Sequence, residues 1–364
     1  MDELINPSVV AALAASMSAA SPLFESSALK KAQGALADQR LRDRVSMVRD
    51  AVLDDVPAGF DNMQSVITAA LELPGFAGWM IWPVTEAVSA SALASATTHD
   101  FDSGMALLAR LTPRLSSEFA IRDMLNARPE RAVDQMTSWV TNENEHVRRL
   151  ATEGSRAYLP WARKVAWLID HPRATGAILD AAYRDPSEYV RRSTANHLND
   201  LSRVDAAAAT DAARRWAAQP DSNTAWVTRH GLRTLIKRAD PVALTLVGFA
   251  GTDLTVEAPR LSRPSLSWGG SLEFAGRVAN HGSVPANVAI DYVVGFVRAN
   301  GSTSRKTFKL ATRGIAPGES VEIIKTHSFR PITTRTYYPG IHSVSIQANG
   351  IASPPAYFSL EAGN

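Results

Sequence analysis

A short phrase, a valine followed two positions later by an arginine, recurs three times in the middle of this chain. The valines are Val147, Val190 and Val227, which stand 43 and 37 residues apart. This period is typical of two-helix repeats that stack side by side into a solenoid. A solenoid has a concave inner face, so the repeat predicts a helical domain with one long surface for a partner.

The arginine of each phrase begins a polar stripe along its helix. Residues three or four positions apart lie on one helix face, and stacking would bring the three stripes side by side. The predicted concave wall of the solenoid is basic and contains two carboxylates. This combination suits a polyanionic partner on which the protein performs a reaction better than one that it only binds. The stripes are Arg149, Glu153 and Arg156; Arg192, Asn196 and Asp200; and Arg229, Arg233 and Lys237.

Composition and charge limit the choice of partner. With 364 residues, of which 45% are hydrophobic, the chain can bury one large core or two ordinary ones. Lys and Arg number 11 against 17 Asp and Glu in residues 1–141, 15 against 11 in residues 142–237, and 11 against 7 in residues 251–364. The later excess predicts an anionic partner such as nucleic acid or a membrane surface, although a solvated charged face explains it equally well.

Several classes of site are excluded or not indicated. The chain has no cysteine, which rules out disulfides, thiolate metal sites and a cysteine nucleophile. Its eight histidines are scattered, so we expect neither a metal nor another cofactor. The apolar stretch at residues 9–20 follows Asp2 and Glu3 rather than basic residues, unlike a signal peptide, and no run approaches a membrane span. We therefore expect a soluble, cytoplasmic protein, and a monomer because nothing indicates a coiled coil.

Residues 1–248 are predicted to form HEAT-like helical repeats, which makes the fold class multidomain, α + β, with an α-solenoid first. An asparagine or aspartate directly before a proline predicts a capped helix start, and Asp185 also forms a capping box with Glu188. Helical periodicity at residues 45–56 and 102–111 extends the stack upstream. The capped starts are Asn6-Pro7, Asp185-Pro186 and Asp240-Pro241. The first helices of the three repeats are predicted at residues 129–140, 172–183 and 205–218.

Residues 249–364 are predicted to form a second, all-β domain. Apolar and polar residues alternate with a period of two at residues 288–293 and 321–324, and glycine-containing turns separate such runs. Six or seven short strands in about 110 residues are typical of an immunoglobulin-like β-sandwich. Trp268 stands beside two glycines, which suits a turn better than the core. The predicted turns are at Gly269-Gly270, His281-Gly282, Asn300-Gly301 and Pro317-Gly318.

Two segments hold the residues most able to carry chemistry. In the first, Glu153 lies between two arginines and Trp161 follows a Leu-Pro turn; in the second, Glu118 follows two serines. Each has an ordinary alternative: charge balance in a helix for Glu153, core packing for Trp161, and an acidic first helical turn for Glu118. Gly154 thins the helix beside Glu153, where a backbone has room to approach closely.

Taken together, these segments resemble a known family. The strings that carry the resemblance are LTPR at 111–114, SEFAIR at 117–122, HVRRLA at 146–151, EGSR at 153–156, LPWA at 159–162, NHLND at 196–200, KTHSFRP at 325–331, TTR at 333–335 and YYPG at 337–340. They are similar to those of AlkC, in the AlkC/AlkD superfamily of bacterial alkylpurine DNA glycosylases, including members with a C-terminal immunoglobulin-like domain. The resemblance covers almost the whole chain.

The resemblance implies hydrolysis of the N-glycosidic bond of cationic alkylated bases, 3-methyladenine and 3-methylcytosine, in double-stranded DNA, the first step of base excision repair. Such a base already carries positive charge and leaves without a general acid, so a carboxylate that stabilises the oxocarbenium-like sugar is what helps. We assign this role to Asp200, supported by Glu153. Trp161 would lie against the sugar or the cationic base, and Glu118 would flank the lesion.

DNA contacts are expected from both domains. In the sandwich, cations beside aromatic residues in one loop favour a grip on phosphates, although an ordinary strand connection with core tyrosines is the alternative. The expected contacts are Arg149, Arg156, Arg192, Asn196, Arg229 and Arg233 in the solenoid, and Lys325, His327, Arg330, Arg335 and Tyr337 in the sandwich.

The chain departs from the family pattern at three positions. Ala157 and Tyr158 stand where a proline and a basic residue are expected, and Asp123 replaces a proline. Two rival functions remain: a noncatalytic DNA-binding protein, against which the four acidic and aromatic residues argue, and a protein-binding scaffold, which has no need of an arginine-lined face.

Overall fold

A computed structural model describes residues 2–249, 253–333 and 335–362. The chain divides into two compact units, one reaching to Gly231 and the other starting at Leu232. The change from helical to strand periodicity predicted a domain boundary at residue 248. The segment between these two positions contains two short helices that group with the second unit.

The first unit and the start of the second are helical. The helices are α1 Pro7–Ala20, α2 Ser27–Gly34, α3 Leu41–Asp55, α4 Phe60–Leu71, α5 Ile81–Ala94, α6 Thr98–Leu111, α7 Ile121–Ala127, α8 Pro129–Ser138, α9 Glu145–Gly154, α10 Ala166–Asp170, α11 Gly176–Ala182, α12 Glu188–Val204, α13 Ala206–Ala218, α14 Thr224–Gly231, α15 Arg233–Lys237 and α16 Pro241–Leu246.

Helix starts follow the capping signals at two of three predicted positions. Asn6 accepts a hydrogen bond from the Val9 N–H at 3.0 Å, and Asp240 caps α16 in the same way. The predicted start at Asp185 is wrong, because α12 begins at Glu188. The Asp185 carboxylate accepts a hydrogen bond from the Ser187 N–H at 2.8 Å just before the helix. It also accepts hydrogen bonds from Arg148 at 2.7 and 3.0 Å, which form an ion pair between neighbouring repeats.

The three repeated phrases lie on α9, α12 and α14, and α12 packs against both of the others. Val147, Val190 and Val227 are all buried, which confirms that the repeat reflects stacked helices. The first helices of the pairs are α8, α11 and α13, and α11 starts at Gly176 rather than at residue 172.

The third polar stripe does not lie on one helix, as the sequence analysis expected. Helix α14 ends at Gly231, where an added Cβ would lie 2.6 Å from Leu198 Cδ2 on α12. The chain then restarts as α15 at Arg233. Arg229 therefore belongs to a different helix from Arg233 and Lys237.

The N-terminal segment Asp2–Ala20 is long and apolar enough, by length and composition, to cross a membrane, contrary to the sequence expectation. In the structure its apolar side chains Ile5, Leu13 and Met17 are fully buried in the core of the first unit. Only 28% of this segment is buried, so one face of α1 packs on the core, and its length and composition alone are weak evidence of a membrane span.

The second unit is a β-sandwich with α15 and α16 packed on it. Its strands are β1 Leu254–Val256, β2 Arg260–Leu261, β3 Ser265–Leu266, β4 Ser271–Asn280, β5 Ala286–Val297, β6 Thr303–Ile315, β7 Ser320–Ser328, β8 Gly340–Ala348, β9 Ile351–Ala352 and β10 Ala356–Leu360.

The strands form two sheets, which confirms the immunoglobulin-like prediction. In one sheet β4 pairs with β7 along one edge and with β1 and β2 along the other; the second sheet has the order β3-β10-β8-β5-β6, with β9 on β8. Alternate residues of β5 are buried, as a period of two requires. Gly269, Gly301 and Gly318 have positive φ in the predicted turns, and Trp268 lies in the first of these turns.

Helices α15 and α16 cover one end of the second sheet's outer face. Leu244, Val247 and Phe249 form a small apolar cluster against Ile236 and Ala289. These contacts explain why residues 232–249 group with the strands rather than with the helical repeats.

Candidate functional site

Arg156 joins two carboxylates from neighbouring helices. Its Nε donates to Asp200 Oδ2 at 2.8 Å, and its Nη1 donates to Glu153 Oε1 at 2.5 Å. All three side chains are buried. The sequence stripes on α9 and α12 therefore meet as predicted, but they meet as an ion-paired cluster.

A second arginine extends the cluster to the third predicted carboxylate. Arg149 contacts Glu118 through a short ion pair, lies 3.6 Å from Glu153, and donates to Ser116 Oγ at 2.9 Å. The result is a row of alternating charge, which we call the charge row: Glu118, Arg149, Glu153, Arg156 and Asp200.

The environments of Glu153 and Asp200 shift the pKa values of these two carboxylates in opposite directions. Burial raises the pKa of Glu153, but Arg149, Arg156 and a hydrogen bond from Ser193 outweigh it and leave the pKa lowered. For Asp200 burial dominates, and the pKa is raised although Arg156 and other donors oppose the shift. Asp200 ends the row and has one arginine hydrogen-bonded to it, so its negative charge is the less compensated and more available to a cationic ligand.

Trp161 is 84% exposed, which excludes the alternative of core packing. It lies in the loop of residues 155–165 between α9 and α10, the Trp161 loop, and has a φ of 62°. This backbone conformation is strained for a bulky residue and persists only where surrounding contacts enforce it. An exposed indole held in a strained conformation is typical of a ligand contact.

Gly154 allows close packing between helices. An added Cβ would lie 2.8 Å from Ile121 Cγ2 and 3.1 Å from Met136 Cε. The glycine therefore lets α9 pack closely on α7 and α8, which positions Glu118 near Arg149.

The sequence analysis missed His197, which lies beside the charge row. Its Nδ1 is 2.9 Å from the Thr152 carbonyl oxygen and its Nε2 is 3.0 Å from Thr175 Oγ1. Burial lowers its pKa to about 4, so it is a neutral link between α9, α12 and the residues before α11. No cluster of three or more histidine, cysteine or acidic side chains in the described ranges is arranged to hold a metal ion.

Comparison with solved structures decides the family. The Pseudomonas fluorescens alkylpurine DNA glycosylase AlkC, solved bound to DNA containing an abasic site analog, is 30% identical, covers 99% of both chains and superposes with a TM-score of 0.84. The chain belongs to the AlkC family.

Two further comparisons agree with this assignment. The uncharacterized protein YhaZ of Bacillus subtilis is 36% identical over 244 residues, which are 67% of this chain and 68% of that protein. The family model for the C-terminal Ig-like domain of YhaZ matches residues 255–362. This AlkC-family chain therefore carries the immunoglobulin-like domain that its strands indicate.

Not every predicted DNA contact in the helical unit is available. Arg149 and Arg156 are largely buried and paired with carboxylates, so neither presents a free cation to a phosphate. Arg192 has 61% of its side chain exposed and forms a surface ion pair with Glu188. Arg229 is also exposed, and Asn196 Oδ1 lies 3.2 Å from His230 Nε2. Arg233 is half-buried and belongs to the second unit.

The predicted contact loop of the sandwich is partly a core segment. His327 is buried with its Nδ1 3.0 Å from the Tyr292 hydroxyl, and burial lowers its pKa to about 4. Tyr337 is buried beside Phe329, and the guanidinium of Arg335 lies 4.3 Å from the centre of the Phe296 ring. We correct His327 and Tyr337 to core residues. Lys325 and Arg330 are exposed, as a DNA contact requires.

A basic cavity on the outer face of the second sheet was not predicted. It has a volume of about 610 Å³, and Lys237, Arg238 and Arg305 line it together with Ser343 and Tyr357. No acidic residue lines this cavity. Lys237 and Arg238 are adjacent in sequence but Arg305 is distant from them, so only the packing of α15 on the sheet reveals the cluster.

Proposed function

We propose that this protein is a DNA glycosylase that hydrolyses the N-glycosidic bond of cationic alkylated bases, 3-methyladenine and 3-methylcytosine, in duplex DNA. The observation that carries the proposal is the pairing of a charge row ending in Asp200 with the exposed, strained Trp161. Family membership supports it, because the Pseudomonas fluorescens relative is described as an alkylpurine DNA glycosylase bound to DNA.

In this proposal Asp200 stabilises the charge that develops on the sugar. The bond between C1′ and the base nitrogen breaks, the base leaves as a neutral molecule, and positive charge moves to the sugar ring. Water then adds to C1′ and loses a proton, which yields an abasic site. A preorganised carboxylate beside C1′ typically contributes about a hundred- to a thousandfold in rate. Burial raises the pKa of Asp200. Its carboxylate is therefore a better acceptor for the proton of water than an ordinary aspartate is.

Glu153 and Arg156 hold Asp200 in position rather than react. Arg156 spans both carboxylates, and Ser193 donates to Glu153 at 2.7 Å. Because every member of the row is fixed by a neighbour, the carboxylate needs little reorganisation when charge develops. Glu118 closes the row at its other end, where it favours a positive ligand.

Trp161 supplies the contact to the lesion. An indole face against a cationic base or sugar contributes about 0.5–2 kcal/mol. Since the side chain already projects into solvent, the lesion can meet it without full extrusion into a pocket, unlike the usual glycosylase strategy.

Phosphate contacts in this proposal come from the exposed cations. In the helical unit these are Arg192 and Arg229, and in the second unit Lys325 and Arg330. The partner is double-stranded DNA bound by a monomer in the cytoplasm, with no cofactor.

The experiment that tests the proposal is release of free bases from methylated duplex DNA, identified by mass spectrometry. The protein should release 3-methyladenine and 3-methylcytosine and leave abasic sites in equal number. DNA binding without base release would establish the noncatalytic alternative, and absence of both would favour a protein-binding scaffold.

A further inference from the structure

Arg122 is a fully buried arginine on α7 that makes no ion pair with a carboxylate in the described part of the chain. Its donors point to main-chain carbonyl oxygens instead. Nη1 donates to Gly154 at 2.8 Å and to Arg156 at 2.6 Å, and Nε donates to Arg163 at 2.9 Å.

These carbonyls stand at the two ends of the Trp161 loop. Gly154 and Arg156 lie where the chain leaves α9, and Arg163 lies just before α10. A single guanidinium therefore ties the start of the loop to its end. The eight-residue span from 156 to 163 becomes a closed segment with the indole of Trp161 near its tip.

Two further residues of α7 hold the same end of the loop. Asn126 Nδ2 donates to the Lys164 carbonyl at 3.2 Å, and Asp123 pairs with Arg163 at 3.0 Å. Asp123 replaces the proline expected from the family pattern, so in this chain the departure adds an ion pair to the loop.

The loop's first half is held by α12. The Tyr158 N–H donates to the Asp200 carboxylate, and the guanidinium of Arg203 lies 4.3 Å from the centre of the Tyr158 ring. Tyr158, another of the three departures from the family pattern, thus packs against α12. With both halves fixed, the positive φ of Trp161 is enforced from outside the loop.

Burial is costly for an arginine that is hydrogen-bonded to no carboxylate among the described residues. Burial, together with the nearby Arg156, lowers the pKa of Arg122 to about 10 although the Asp200 charge opposes the shift, and its Nη2 has no hydrogen-bond partner among the described residues. A well-packed apolar side chain often stabilises a fold more than such a buried ion. The retained cation therefore points to a task in shaping the loop rather than to stability alone.

We infer that Arg122 is a positioning residue that closes the Trp161 loop and so presents the indole to the DNA lesion. This inference rests on the proposed function for the role of the indole, but the closure of the loop is independent of it. Arg122 is buried and touches no substrate, so its hydrogen bonds to the loop are the means by which it positions the indole.

A mutant cycle tests the coupling. Arg122→Met should slow single-turnover base excision by up to about 10-fold and Trp161→Ala by about 10-fold, because a residue that acts through the indole cannot cost more than loss of the indole itself. If Arg122 acts through Trp161, the double variant will be no slower than Trp161→Ala alone, because coupled residues do not act additively. If Arg122→Met slows excision by the same factor in the wild type and in the Trp161→Ala variant, the inference is wrong.

Arg44 provides a matched control. It is also buried and donates to main-chain carbonyls of Gln39, Asp2 and Ile5 at 2.9–3.1 Å, but it lies on α3. Arg44→Met should lower the melting temperature without changing the excision rate of folded protein. A similar loss of excision in the control would show that any buried arginine matters, which contradicts the positioning role.

A readout without DNA separates this inference from the proposed function. Trypsin should cleave after Arg163 or Lys164 at least 10-fold faster in the Arg122→Met protein than in the wild type at a temperature where both are folded. If Arg122→Met does not fold, the combined Asp123→Ala and Asn126→Ala variant, which changes only partly exposed residues, takes its place. If the rate of trypsin cleavage is unchanged in every folded variant, Arg122 does not close the loop, whether or not the enzyme excises bases.

Discussion

The carboxylates of Glu153 and Asp200 both accept hydrogen bonds from the guanidinium of Arg156, but their surroundings differ. Glu153 accepts hydrogen bonds from Ser193 and Arg156 and also faces Arg149, which makes it a fixed structural charge. For Asp200, burial outweighs the groups that stabilise its charge, Arg156, Arg203 and the Tyr158 N–H, and leaves the pKa raised. At the scale of single residues, this difference is the reason for assigning the reacting carboxylate to Asp200.

Asp200→Asn should retain DNA affinity and slow single-turnover excision by about a hundred- to a thousandfold, because the amide keeps the shape and removes the charge. The measurement is excision from a duplex with one alkylated base, with binding followed by fluorescence anisotropy. Asp134→Asn on α8, an exposed carboxylate, is the matched control and should behave as wild type. Wild-type excision by Asp200→Asn would remove Asp200 from the mechanism.

Trp161→Ala should leave thermal stability nearly unchanged, within about 0.5 kcal/mol, because the side chain is 84% exposed and exposed substitutions rarely cost more. Excision should fall by about tenfold, in proportion to a lost contact of 1–2 kcal/mol. Trp268→Ala, in a turn of the sandwich, should leave excision unaltered. A large loss of stability in Trp161→Ala would indicate that the indole packs against the protein.

Stacking of helices, rather than the pattern along each helix, decides which arginines remain free for DNA. Arg149 faces Glu118 and Glu153, whereas Arg192, the equivalent residue on the next repeat, projects into solvent. Equivalent positions in a repeat therefore have different roles.

This difference predicts the salt dependence of DNA binding. Arg192→Ala should reduce the slope of log K against log salt concentration by about 0.9, as expected for one lost phosphate contact. Arg149→Ala should leave the slope unchanged and lower the melting temperature, because it leaves two carboxylates without their partner. Equal slope changes in both variants would contradict the burial of Arg149.

His197 links neighbouring helices and should make the first unit sensitive to acid. Its pKa falls from 6.5 unfolded to about 4 folded, so the unfolded chain binds the proton more readily in this window. Stability is therefore fully present above pH 6.5 and is lost as the pH falls towards 4, by at most about 3 kcal/mol. Denaturant titrations of wild type and His197→Gln between these pH values should show a smaller loss in the variant; identical losses would refute the link.

Patterns along the chain predicted the repeats, two of three helix caps and the sandwich, because local periodicity and capping determine these features. They also predicted that Glu153 and Asp200 would meet. These patterns failed at residues whose contacts depend on distant parts of the chain. The sequence gives no sign that Arg148 captures Asp185, or that His327 faces the sandwich core.

At the scale of the whole molecule, the two compact units assign different tasks to different parts of the chain. Residues up to Gly231 contain the charge row and the Trp161 loop, whereas α15 and α16 pack on the sandwich. A fragment of residues 1–231 should fold and melt cooperatively, because stability in stacked repeats comes mainly from neighbouring pairs. A fragment ending at residue 248 should be less soluble, since Leu244 and Val247 lose their apolar partners.

If the second unit contributes essential phosphate contacts, the folded 1–231 fragment will lose DNA affinity and most excision. The loss should be partly reproduced in the full chain by replacing Lys325 and Arg330 with alanine. Replacing Arg238 and Arg305, which line the cavity on the sheet, tests the alternative surface. Full excision by the fragment would show that the second unit serves another partner.

The central claim is that this chain breaks the glycosidic bond of a cationic base, and the most direct measurement uses a duplex with a single 3-methylcytosine. Free base is quantified by mass spectrometry and abasic strand by alkaline cleavage, under single-turnover conditions. The account predicts equal amounts of both products from the wild type and at least a hundredfold slower formation by Asp200→Asn. Tight binding of the duplex with neither product formed, for 3-methylcytosine and for 3-methyladenine alike, would contradict it.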